Sequence, residues 1–456
     1  MSGSSENRYI RLEVVGGSNL LVPSERIPAG IYVSINVDSR QRCKSAIGVL
    51  SSDDSVAWGD AVTMQSPWSL LGAIRGVIFY RSSHALPAFS VEIRASYEAD
   101  RMLGSGEVIG KRKLHMSWDE LLNHGDEPFD LSFPPVRGVH PSLTLKAAVV
   151  QACDDQDDAL PDTFVEYEIV RRTDAGHAQY AKYMRSKKVS RLNAAVEHFQ
   201  FVLDQCPASH PDHAAALTNL AWARLLGYIQ NHLQDIDITI SLFRDALALR
   251  PQRHPDRPFS LYNLSRALNW RHSKKSTAAD IREAAQLYHE LLPLCPEGTY
   301  LRSIASGKNG VDYVIVGCNN LPKDASDEGI CLRRVVLELC PVGHQRRPRA
   351  LDELSHALRS RFTQSGNIDD LDERIQFLRE AVSLCPEGHT DRGLYLNNLA
   401  LSLGTFRFDH QGNPNDLDEA ISLHEEALRL CPVGHESRDS SLDNLGGVLV
   451  TRFKKR

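Results

Sequence analysis

Cysteine and histidine recur together in this sequence at a fixed spacing. The hexapeptide Leu-Cys-Pro-x-Gly-His stands at 339–344, 384–389 and 430–435, and the related LCPEGT stands at 294–299. A thiolate and an imidazole are ligands that bind zinc in proteins, so each hexapeptide is a candidate half of a zinc site. The candidate pairs are Cys206 with His210, Cys340 with His344, Cys385 with His389, and Cys431 with His435.

A structural interpretation competes with zinc at these hexapeptides. Zinc needs four converging ligands, whereas each hexapeptide offers two, and neighbouring ones belong to helices whose axes lie about 8–10 Å apart. Arg250 replaces the cysteine in one hexapeptide, and Thr299 replaces the histidine in another. As a helix joint, by contrast, the pattern fits throughout: cysteine is a small buried side chain, proline stops a helix, and glycine allows a sharp reversal. Histidine then caps or packs at the start of the next helix, and we expect no metal and no cofactor.

Other catalytic signatures are incomplete. The segment 104–112, GSGEVIGKR, approaches a phosphate-binding loop, but Ser105 stands where that loop needs its first glycine and Arg112 where it needs a hydroxyl. The sequence contains neither His-Glu-x-x-His nor Gly-x-Ser-x-Gly. A Cys–His dyad is not formally excluded, although the four cysteines outside the joints have no local signature. They are Cys43, Cys153, Cys318 and Cys331. We predict a protein that is not an enzyme.

Length, charge and composition narrow the class of protein. The chain has 456 residues, 42% of them hydrophobic, and its net charge of −6 gives no general reason to expect nucleic-acid binding. Its first residues lack the basic and then apolar run of a secretion signal. No stretch approaches the roughly 18 apolar residues of a membrane span. We therefore expect a cytoplasmic protein whose nine cysteines are reduced thiols.

The elements that must position the joints fall into two unlike regions. Residues 8–150 contain short runs such as GIYVSINVDS and AFSVEIRASYE, rich in β-branched and aromatic residues and punctuated by turn residues, which predict a β-sandwich. Residues 151–164 include CDDQDDALPD and are predicted to be an acidic linker. Residues 165–456 are predicted to be helical, because LDEAISLHEEALRL at 417–430 places apolar residues at i, i+3, i+4 and i+7.

The helical region is an internal repeat. The residue before the joint proline recurs at intervals of 44, 45, 45, 45 and 46, at Cys206, Arg250, Cys295, Cys340, Cys385 and Cys431. A second marker, found as LTNLA, LYNLS, LDELS, LNNLA and LDNLG, runs in phase with it. Each unit is predicted to contain two helices, the first carrying this marker and the second ending at the joint. In the unit at 296–340, SGKNGVDYVIVGCNN replaces the usual first helix, and we expect a distortion there.

These units resemble the tetratricopeptide repeat. Ala400 stands at the small position of the first helix, Ala420 and Ala427 stand at those of the second, and Pro432 closes it. The resemblance covers about residues 170–456 and implies a right-handed superhelical solenoid, with the additional length of each unit in its turns. The LCPxGH joints resemble those of fungal tetratricopeptide arrays whose longer members end in a CHAT peptidase domain, and no part of this chain matches that domain.

The order of the β segments, from IRLEVVGGSNL through PAGIYVSINVD to VEIRASYEADRMLGSGEVIGKRKL, resembles a C2 domain. The resemblance implies a search for calcium-binding aspartates, because calcium takes 6–8 oxygen ligands. The first loop, at 22–30, offers only Glu25, and the later loop offers Glu98 and Asp100, with Glu107 further on. We expect no tight calcium site and interpret these acids as a solvated loop.

Two basic clusters in the β region suggest a second possible partner. They are Arg40, Arg42 and Lys44, and Lys111, Arg112 and Lys113. If both clusters faced one way, they could attract anionic lipid at about 1 kcal/mol per charge. The alternative is a solvated strand face, which the mild net charge favours.

Four asparagines share one register on the first helices: Asn219, Asn263, Asn398 and Asn444. First helices line the inner surface of such an array. The resemblance implies that these amides bond the backbone of an extended peptide, since an amide both donates and accepts hydrogen bonds. The alternative is that they brace the neighbouring helix. Four basic residues in the same helices would favour an acidic ligand: Arg224, Arg266, Lys308 and Arg359.

The last predicted helix, in SRDSSLDNLGGVLVTRFKKR, is a first helix without its partner. Four of its apolar residues are expected to lack cover: Leu442, Leu445, Val448 and Leu449. This predicts self-association, another partner, or a longer protein. The function predicted for the whole is a non-catalytic scaffold that binds a peptide or partner protein on the concave face. The alternatives are a membrane-surface adaptor that uses the C2-like domain, or the regulatory part of a CHAT-type peptidase.

Overall fold

A computed structural model describes most of the chain. The described residues are 8–22, 26–37, 41–58, 89–99, 103–114, 127–151, 164–231, 235–431, 433–434 and 438–455. The chain divides into two compact units: unit 1 comprises Met1–Lys274 and Glu290–Gly307, and unit 2 comprises Lys275–His289 and Lys308–Arg456. Most of the predicted linker at 151–164 lies outside the described residues, and the domain boundaries placed around it stay a prediction.

The N-terminal part of unit 1 is built from two four-stranded antiparallel sheets. The strands are β1 (Arg8–Ser18), β2 (Gly30–Val37), β3 (Gln41–Lys44), β4 (Val56–Ala57), β5 (Phe89–Ser96), β6 (Glu107–Leu114), β7 (Phe129–Ser132) and β8 (Ser142–Gln151). One sheet has the order β4-β1-β8-β7 and the other has the order β3-β2-β5-β6.

The core of this region lies between the two sheets, as the alternation of apolar residues predicts. On β2, Ile31, Val33 and Ile35 are buried, and they share one cluster with Leu143 and Leu145 of the opposite sheet. Two sheets that bury their inner faces against each other form a sandwich. The predicted β-sandwich is therefore confirmed.

Unit 1 continues into helices that pack pairwise. They are α1 (Phe164–Ser186), α2 (Val189–Gln205), α3 (His213–Asn231), α4 (Ile236–Ala248) and α5 (Arg257–Lys275), followed by the short α7 (Tyr300–Ala305). Helix α6 (Ala278–Leu294) begins in unit 2 and ends in unit 1. Tyr183, Phe199 and Leu220 of the first three helices belong to one buried cluster.

Unit 2 contains the later repeats. Its further helices are α8 (Val311–Asn319), α9 (Asp327–Glu338), α10 (Arg347–Ser365), α11 (Ile368–Leu384), α12 (Arg392–Leu401), α13 (Phe408–Gln411), α14 (Pro414–Leu430) and α15 (Arg438–Lys455). A π-helical segment, Ser402–Arg407, joins α12 to α13. Helical hairpins of the tetratricopeptide-like kind thus follow the sandwich, and the predicted fold class is confirmed.

In the unit of α10 and α11 the additional length lies in the helices, and the expectation that it lies in the turns is wrong there. Helices α10 and α11 have 19 and 17 residues, together more than the roughly 34 residues of a whole tetratricopeptide repeat. Only Gly366 and Asn367 separate them. Gly366 has a φ of 69°, and its N–H donates to the carbonyl of Phe362 at 2.8 Å, whereas the Asn367 side chain accepts from the N–H of Asp369. A glycine cap and an asparagine cap thus complete the turn.

The unit at 296–340 is distorted, as its sequence indicates. Where other units have one long first helix, this one has α7 of six residues and α8 of nine. Its second helix, α9, begins at an ordinary cap in which the side chain of Ser326 accepts from the N–H of Gly329.

Small residues allow the helices of the last units to approach closely. Ala400, Ala420 and Ala427 are fully buried. A Cβ atom on Gly404 would lie 2.9 Å from the Cβ of Ala420 and 3.1 Å from Val448. Gly404 is therefore the residue at which the π-helical segment approaches α14 and α15. Pro432 lies outside the described residues.

Candidate functional site

The joints are structural turns in every described copy. The four histidines at or near their ends accept, through Nδ1, a hydrogen bond of 3.1–3.2 Å from the backbone N–H two residues further on. They are His210, His254, His344 and His389. Thr299 does the same work in its joint, because its side chain accepts from the N–H of Arg302. The histidine side chain therefore caps the next helix, which is one of the structural roles expected from the sequence.

The remaining joint residues also take the expected structural roles. Gly343 and Gly388 have φ values of 92° and 93°, in the left-handed region that glycine adopts without strain. All five joint cysteines are buried: Cys206, Cys295, Cys340, Cys385 and Cys431. Among the residues with described positions, no three His, Cys, Asp or Glu side chains gather as a metal site would require. His435 lies outside those positions.

A recurrent arginine completes four of the six joints, and the sequence reasoning missed it. Seven residues after Cys340, Cys385 and Cys431 stands an arginine, and each donates to the carbonyl of that cysteine at 2.6–2.7 Å. The arginines are Arg347, Arg392 and Arg438; Arg257 stands at the same distance from Arg250 and bonds its carbonyl. A cation at a helix C-terminus satisfies carbonyls that have no partner within the helix. The constant spacing was visible in the sequence and could have revealed this role.

The first predicted peptide-binding residue, Asn219 on α3, contacts the sandwich. Arg26 of the first sandwich loop donates from Nη1 to Asn219 Oδ1 at 2.5 Å. The guanidinium of Arg26 lies 3.9 Å from the ring centroid of Tyr97 and 3.8 Å from Glu98 Oε1. Asn219 is 1% exposed. The four predicted asparagines of the first helices are called the inner register below. In unit 1 its first position, Asn219, is covered by the protein's own N-terminal region.

Further hydrogen bonds join the sandwich to the helices of unit 1. The N–H of Ala99 donates to Asp256 Oδ1 in the joint before α5 at 2.6 Å, and the N–H of Ser105 donates to Asp174 Oδ1 of α1 at 2.6 Å. The N–H of Ser52 bonds the carbonyl of Gly298. The sandwich is thus attached at several helices and joints of unit 1.

The acids tested as calcium ligands do not form a solvated loop, and that interpretation is wrong. Glu98 is 3% exposed and faces Arg26, and Glu107 is 3% exposed and accepts a hydrogen bond from the hydroxyl of Tyr97. Both carboxyls are buried, and the described residues near them bond to the helical region, as Ala99 does to Asp256 and Ser105 to Asp174. Glu25 and Asp100 lie outside the described residues.

Burial sets the charge states around Arg26. Desolvation raises the pKa of Glu98 to about 7, although Arg26 and Arg250 both favour its ionised form. Desolvation, and secondarily the charge of Arg26, lower the pKa of His177 to about 3. His177 is therefore neutral at pH 7 and does not repel the guanidinium beside it.

In unit 2 the inner register forms hydrogen bonds between successive first helices. Asn398 Nδ2 on α12 donates to Asp352 Oδ1 on α10 at 3.0 Å. Asn444 Nδ2 on α15 donates to Asn397 Oδ1 on α12 at 2.9 Å. Asn398 is buried, whereas Asn397 and Asn444 are half-buried. Two of the four predicted residues thus brace neighbouring helices, and peptide contact by any of them stays a prediction.

A fully buried arginine forms hydrogen bonds to the helices that carry this register. Arg374 of α11 donates to Ser402 Oγ at 2.7 Å, to the carbonyl of Ser355 at 3.1 Å and to that of Asn398 at 3.4 Å. Desolvation lowers its pKa to about 10. Desolvation also raises the pKa of Asp352 to about 6, although the hydrogen bond from Asn398 opposes this. The polar face of the first helices is therefore anchored in the hydrophobic interior of unit 2.

The remaining predicted contact residues have varied surroundings. Asn263 is buried on α5, and Lys308 is exposed. The other three basic residues contact side chains of their own units: Arg224 bonds Gln200, Arg266 lies over Trp222, and Arg359 lies over Phe406.

The described residues of both basic clusters, Arg42 and Lys44 on β3 and 111–113 on β6, belong to one sheet. Strands β3 and β6 are its two edges, and the register places Ser34 opposite Lys44 and Glu92 opposite Lys111. Lys111 forms an ion pair with Glu92, which reduces the net positive charge of this cluster. Lys113 of the same cluster is exposed. Arg40 and the side chain of Arg42 lie outside the described residues.

The cysteines give no sign of a nucleophile where they are described. Desolvation raises the pKa of Cys206 and Cys295 to about 11, and that of Cys318 and Cys340 to about 12. A reactive cysteine needs the opposite shift. Cys331 is exposed, whereas Cys153 and the side chain of Cys43 lie outside the description.

The last helix is less exposed than its sequence indicates. Val448 is 3% exposed, and Leu445 packs against the same cluster, so the expectation that these two lack cover is wrong. Leu442 and Leu449 are 45% and 44% exposed, as expected, and Phe453 is 83% exposed.

Comparisons with known proteins give only distant similarity. No family model matches the sequence, and no curated protein matches it. Among solved structures, a putative kinesin light chain with nearly identical TPR-like repeats from Podospora anserina is 16% identical, with a TM-score of 0.20, over 55% of this chain and 94% of its own. Acl4, an assembly chaperone of RpL4, is 12% identical, with a TM-score of 0.26, over 61% and 97%. Nro1, a nuclear import adaptor of S. pombe, is 13% identical, with a TM-score of 0.22, over 64% and 95%.

These neighbours are a protein with TPR-like repeats, an assembly chaperone and a nuclear import adaptor. No helix within the described ranges is long and apolar enough to cross a membrane.

Proposed function

We propose that this protein is a non-catalytic scaffold that binds an extended segment of a partner protein along the first helices of unit 2. The supporting observation is the hydrogen-bonded polar register of α10, α12 and α15, in which Asn398 bonds Asp352 and Asn444 bonds Asn397. Such a register presents amides at the spacing of successive helices, which is the arrangement that peptide-binding solenoids use.

The chemistry of these amides suits a peptide backbone. A primary amide has two donor hydrogens and an acceptor oxygen, so one hydrogen bond leaves capacity for others. Asn397 and Asn444 are half-buried, and Asn398 is the buried partner that helps to hold the register. We therefore expect Asn397 and Asn444 to make the direct contacts, and Asn398 to position them.

Unit 1 is the less suitable location for the same contact. Asn219 already accepts a hydrogen bond from Arg26 and is covered by the sandwich. Asn263 is 5% exposed. A peptide would have to displace part of the protein's own structure to reach Asn219.

Selection from a random peptide library on the immobilised full chain tests the proposal. For a selected peptide, Asn397→Ala and Asn444→Ala should each weaken binding by about two- to tenfold, the value of one or two hydrogen bonds. Gln376→Ala, at an exposed position of the second helix α11, is the matched control and should bind as the wild type does. A chain that selects no peptide, or binding that ignores both asparagines, would overturn the proposal.

Membrane-surface binding is a second candidate, because the sandwich resembles a C2 domain and the exposed Lys113 lies on the same edge strand as Lys111. Flotation of the full chain with phosphatidylserine vesicles and with neutral vesicles distinguishes the two. Binding only to the anionic vesicles, and its loss in Lys111→Glu with Lys113→Glu, would favour the membrane over the peptide.

Three finer assignments rest on sequence and are also proposals. The fungal array type with its CHAT association rests on the joint hexapeptides, and the cytoplasmic location rests on composition. Self-association rests on the exposed Leu442, Leu449 and Phe453 of α15. Light scattering of the wild type and of Phe453→Glu tests it, and a wild type that is monomeric at every concentration would exclude it.

A further inference from the structure

The contact between Arg26 and α3 has the composition of a recognition site for arginine. A guanidinium needs an aromatic face to stack on, an acceptor in its plane, and a counter-charge. All three are present around Arg26: the ring of Tyr97 at 3.9 Å, Asn219 Oδ1 at 2.5 Å, and Glu98 Oε1 at 3.8 Å. Arg26 is itself only 6% exposed.

The walls of this site are held by contacts that do not involve Arg26. The rings of Tyr97 and His177 stack at 5.5 Å, and His177 meets Phe199 edge to face at 5.2 Å. The hydroxyl of Tyr97 donates to Glu107. A Cβ atom on Gly176 would lie 2.5 Å from the Phe199 ring, so this glycine gives the ring its place. The site would therefore keep its shape if the Arg26 side chain left it.

Arg26 does not use all the hydrogen-bonding capacity of the site. Within the part of the chain that is described, Arg26 Nη2, Asn219 Nδ2 and Trp222 Nε1 have no hydrogen-bond partner. These three residues and the aromatic rings enclose a cavity of about 10 Å³, which is close to the size that one water molecule or one oxygen atom needs. The site thus has room and donors for one more acceptor atom next to the guanidinium.

Arg26 also belongs to the sandwich, whereas most of the site belongs to the helices. His177, Phe199 and Trp222 lie on α1, α2 and α3, and Asn219 occupies the inner register of α3. Arg26 therefore bonds the α3 asparagine that the sequence predicts to contact a partner. This makes the sandwich loop an intramolecular ligand of the helical repeats.

We propose that Tyr97, Glu98, His177, Phe199, Asn219 and Trp222 form a binding pocket for an arginine side chain. Arg26 occupies the pocket in cis, and an arginine on another polypeptide enters it when Arg26 leaves. The spare N–H groups of Asn219 and Trp222 donate to a carbonyl oxygen of the incoming arginine residue. The pocket lies in unit 1 and does not depend on the asparagines of unit 2, so it goes beyond the proposed function.

Chemical rescue tests this pocket directly. Arg26→Ala in the full chain vacates it, and the probes are acetylarginine amide and acetyllysine amide at equal concentration and ionic strength. Acetylarginine amide at ten times its dissociation constant should raise the melting temperature of Arg26→Ala by about 2–4 °C. The lysine compound should leave it unchanged, because an ammonium cannot stack or fork as a guanidinium does.

Two controls separate the pocket from general stabilisation by arginine. The wild type, whose pocket is filled, and the double variant Arg26→Ala with Asn219→Leu, whose acceptor is gone, should show no rise with either compound. A rise that is equal for arginine and lysine, or equal in wild type and variant, would overturn the proposal, and so would the absence of any rise.

If Arg26→Ala does not fold alone, the readout is the fraction folded, by circular dichroism, after refolding with each compound. Recovery with the arginine compound alone supports the pocket, and equal yields with both compounds reject it. The peptide selection on α10, α12 and α15 is a separate experiment, and either one can fail without the other.

Discussion

A histidine without a hydrogen bond lies in the core of unit 2. His424 of α14 is fully buried, and neither ring nitrogen has a partner among the residues with described positions. Burial lowers its pKa to about 4. At pH 5 the imidazole is therefore neutral in the folded protein but charged in the unfolded chain, where its pKa is about 6.5.

This difference predicts how His424 makes the protein sensitive to acid. Between about pH 6.5 and pH 4 the unfolded chain binds more protons than the folded one, so stability falls as the pH falls, by up to about 3 kcal/mol. His424→Leu should shrink the loss of unfolding free energy between pH 7 and pH 4.5, measured by urea denaturation. His410→Leu, at an exposed position of α13, is the control and should lose as much as the wild type. An unchanged loss in His424→Leu would show that another group titrates.

The joint thiols should be inert in the native protein. With Cys43, Cys153 and Cys331 changed to serine, six cysteines remain. Burial raises the pKa of Cys206 to about 11 and that of Cys340 to about 12. At pH 8 the thiolate fraction of Cys206 and Cys340 is therefore about one in a thousand or less. All six remaining cysteines are buried, which shields them from a reagent. We expect no rapid reaction with a disulfide reagent until denaturant is added. Rapid labelling of the native variant would reopen the case for a joint nucleophile.

At the residue scale, the sequence predicted the structure of the joints but not the residues that bond to them. Helix termination by proline, reversal by glycine and capping by histidine follow from side-chain chemistry within a few residues. Arginines such as Arg392, which bonds the carbonyl of Cys385, could have been predicted from their constant spacing after the joint cysteine. The burial of Glu98 could not have been predicted, because it depends on helices more than 70 residues further along the chain.

At the scale of elements, glycines at two kinds of position should respond oppositely to alanine. Gly366 ends α10 with a φ of 69°. A side chain there adopts a strained left-handed conformation, so Gly366→Ala should destabilise the protein by about 1 kcal/mol. Gly446 lies inside α15, where a Cβ atom would meet no atom within 4 Å. Gly446→Ala should therefore stabilise by about 0.5–1 kcal/mol. Thermal denaturation measures both, and equal signs would contradict the assigned conformations.

The existence and number of helices per unit were predictable, but their lengths were not. The period of about 45 residues and the two apolar stripes imply a hairpin. Whether the additional residues extend helices or turns depends on caps such as Gly366 and Asn367, which were visible only as part of a polar segment. The distorted unit was predictable because Gly307 and Gly310 interrupt its first helix.

At the scale of the whole molecule, two departures from the repeat coincide with contacts to the sandwich. Arg250 replaces a joint cysteine in the joint whose Asp256 bonds Ala99. Thr299 replaces a joint histidine in the joint whose Gly298 bonds Ser52. A repeat unit that also contacts the sandwich therefore departs from the repeat consensus in the joint that makes the contact. Positions that break a repeat therefore indicate where other parts of the protein attach, but the sequence does not say which parts.

Each repeat in a repeat protein is stabilised mainly by contacts with the repeats next to it. A substitution in the core of unit 2 should therefore destabilise the neighbouring helices and leave the sandwich unaffected. Leu378 is fully buried in a cluster formed by α11, α12 and α14. Leu378→Ala should cost about 2–5 kcal/mol and speed hydrogen exchange in α10, α11 and α12, with β1 and β8 unchanged, as mass spectrometry of peptides would show. Leu143→Ala, in the sandwich core, should give the opposite distribution. Equal acceleration in the strands and the helices of both variants would mean that the chain unfolds as one cooperative body, and that the division into two units has no energetic counterpart.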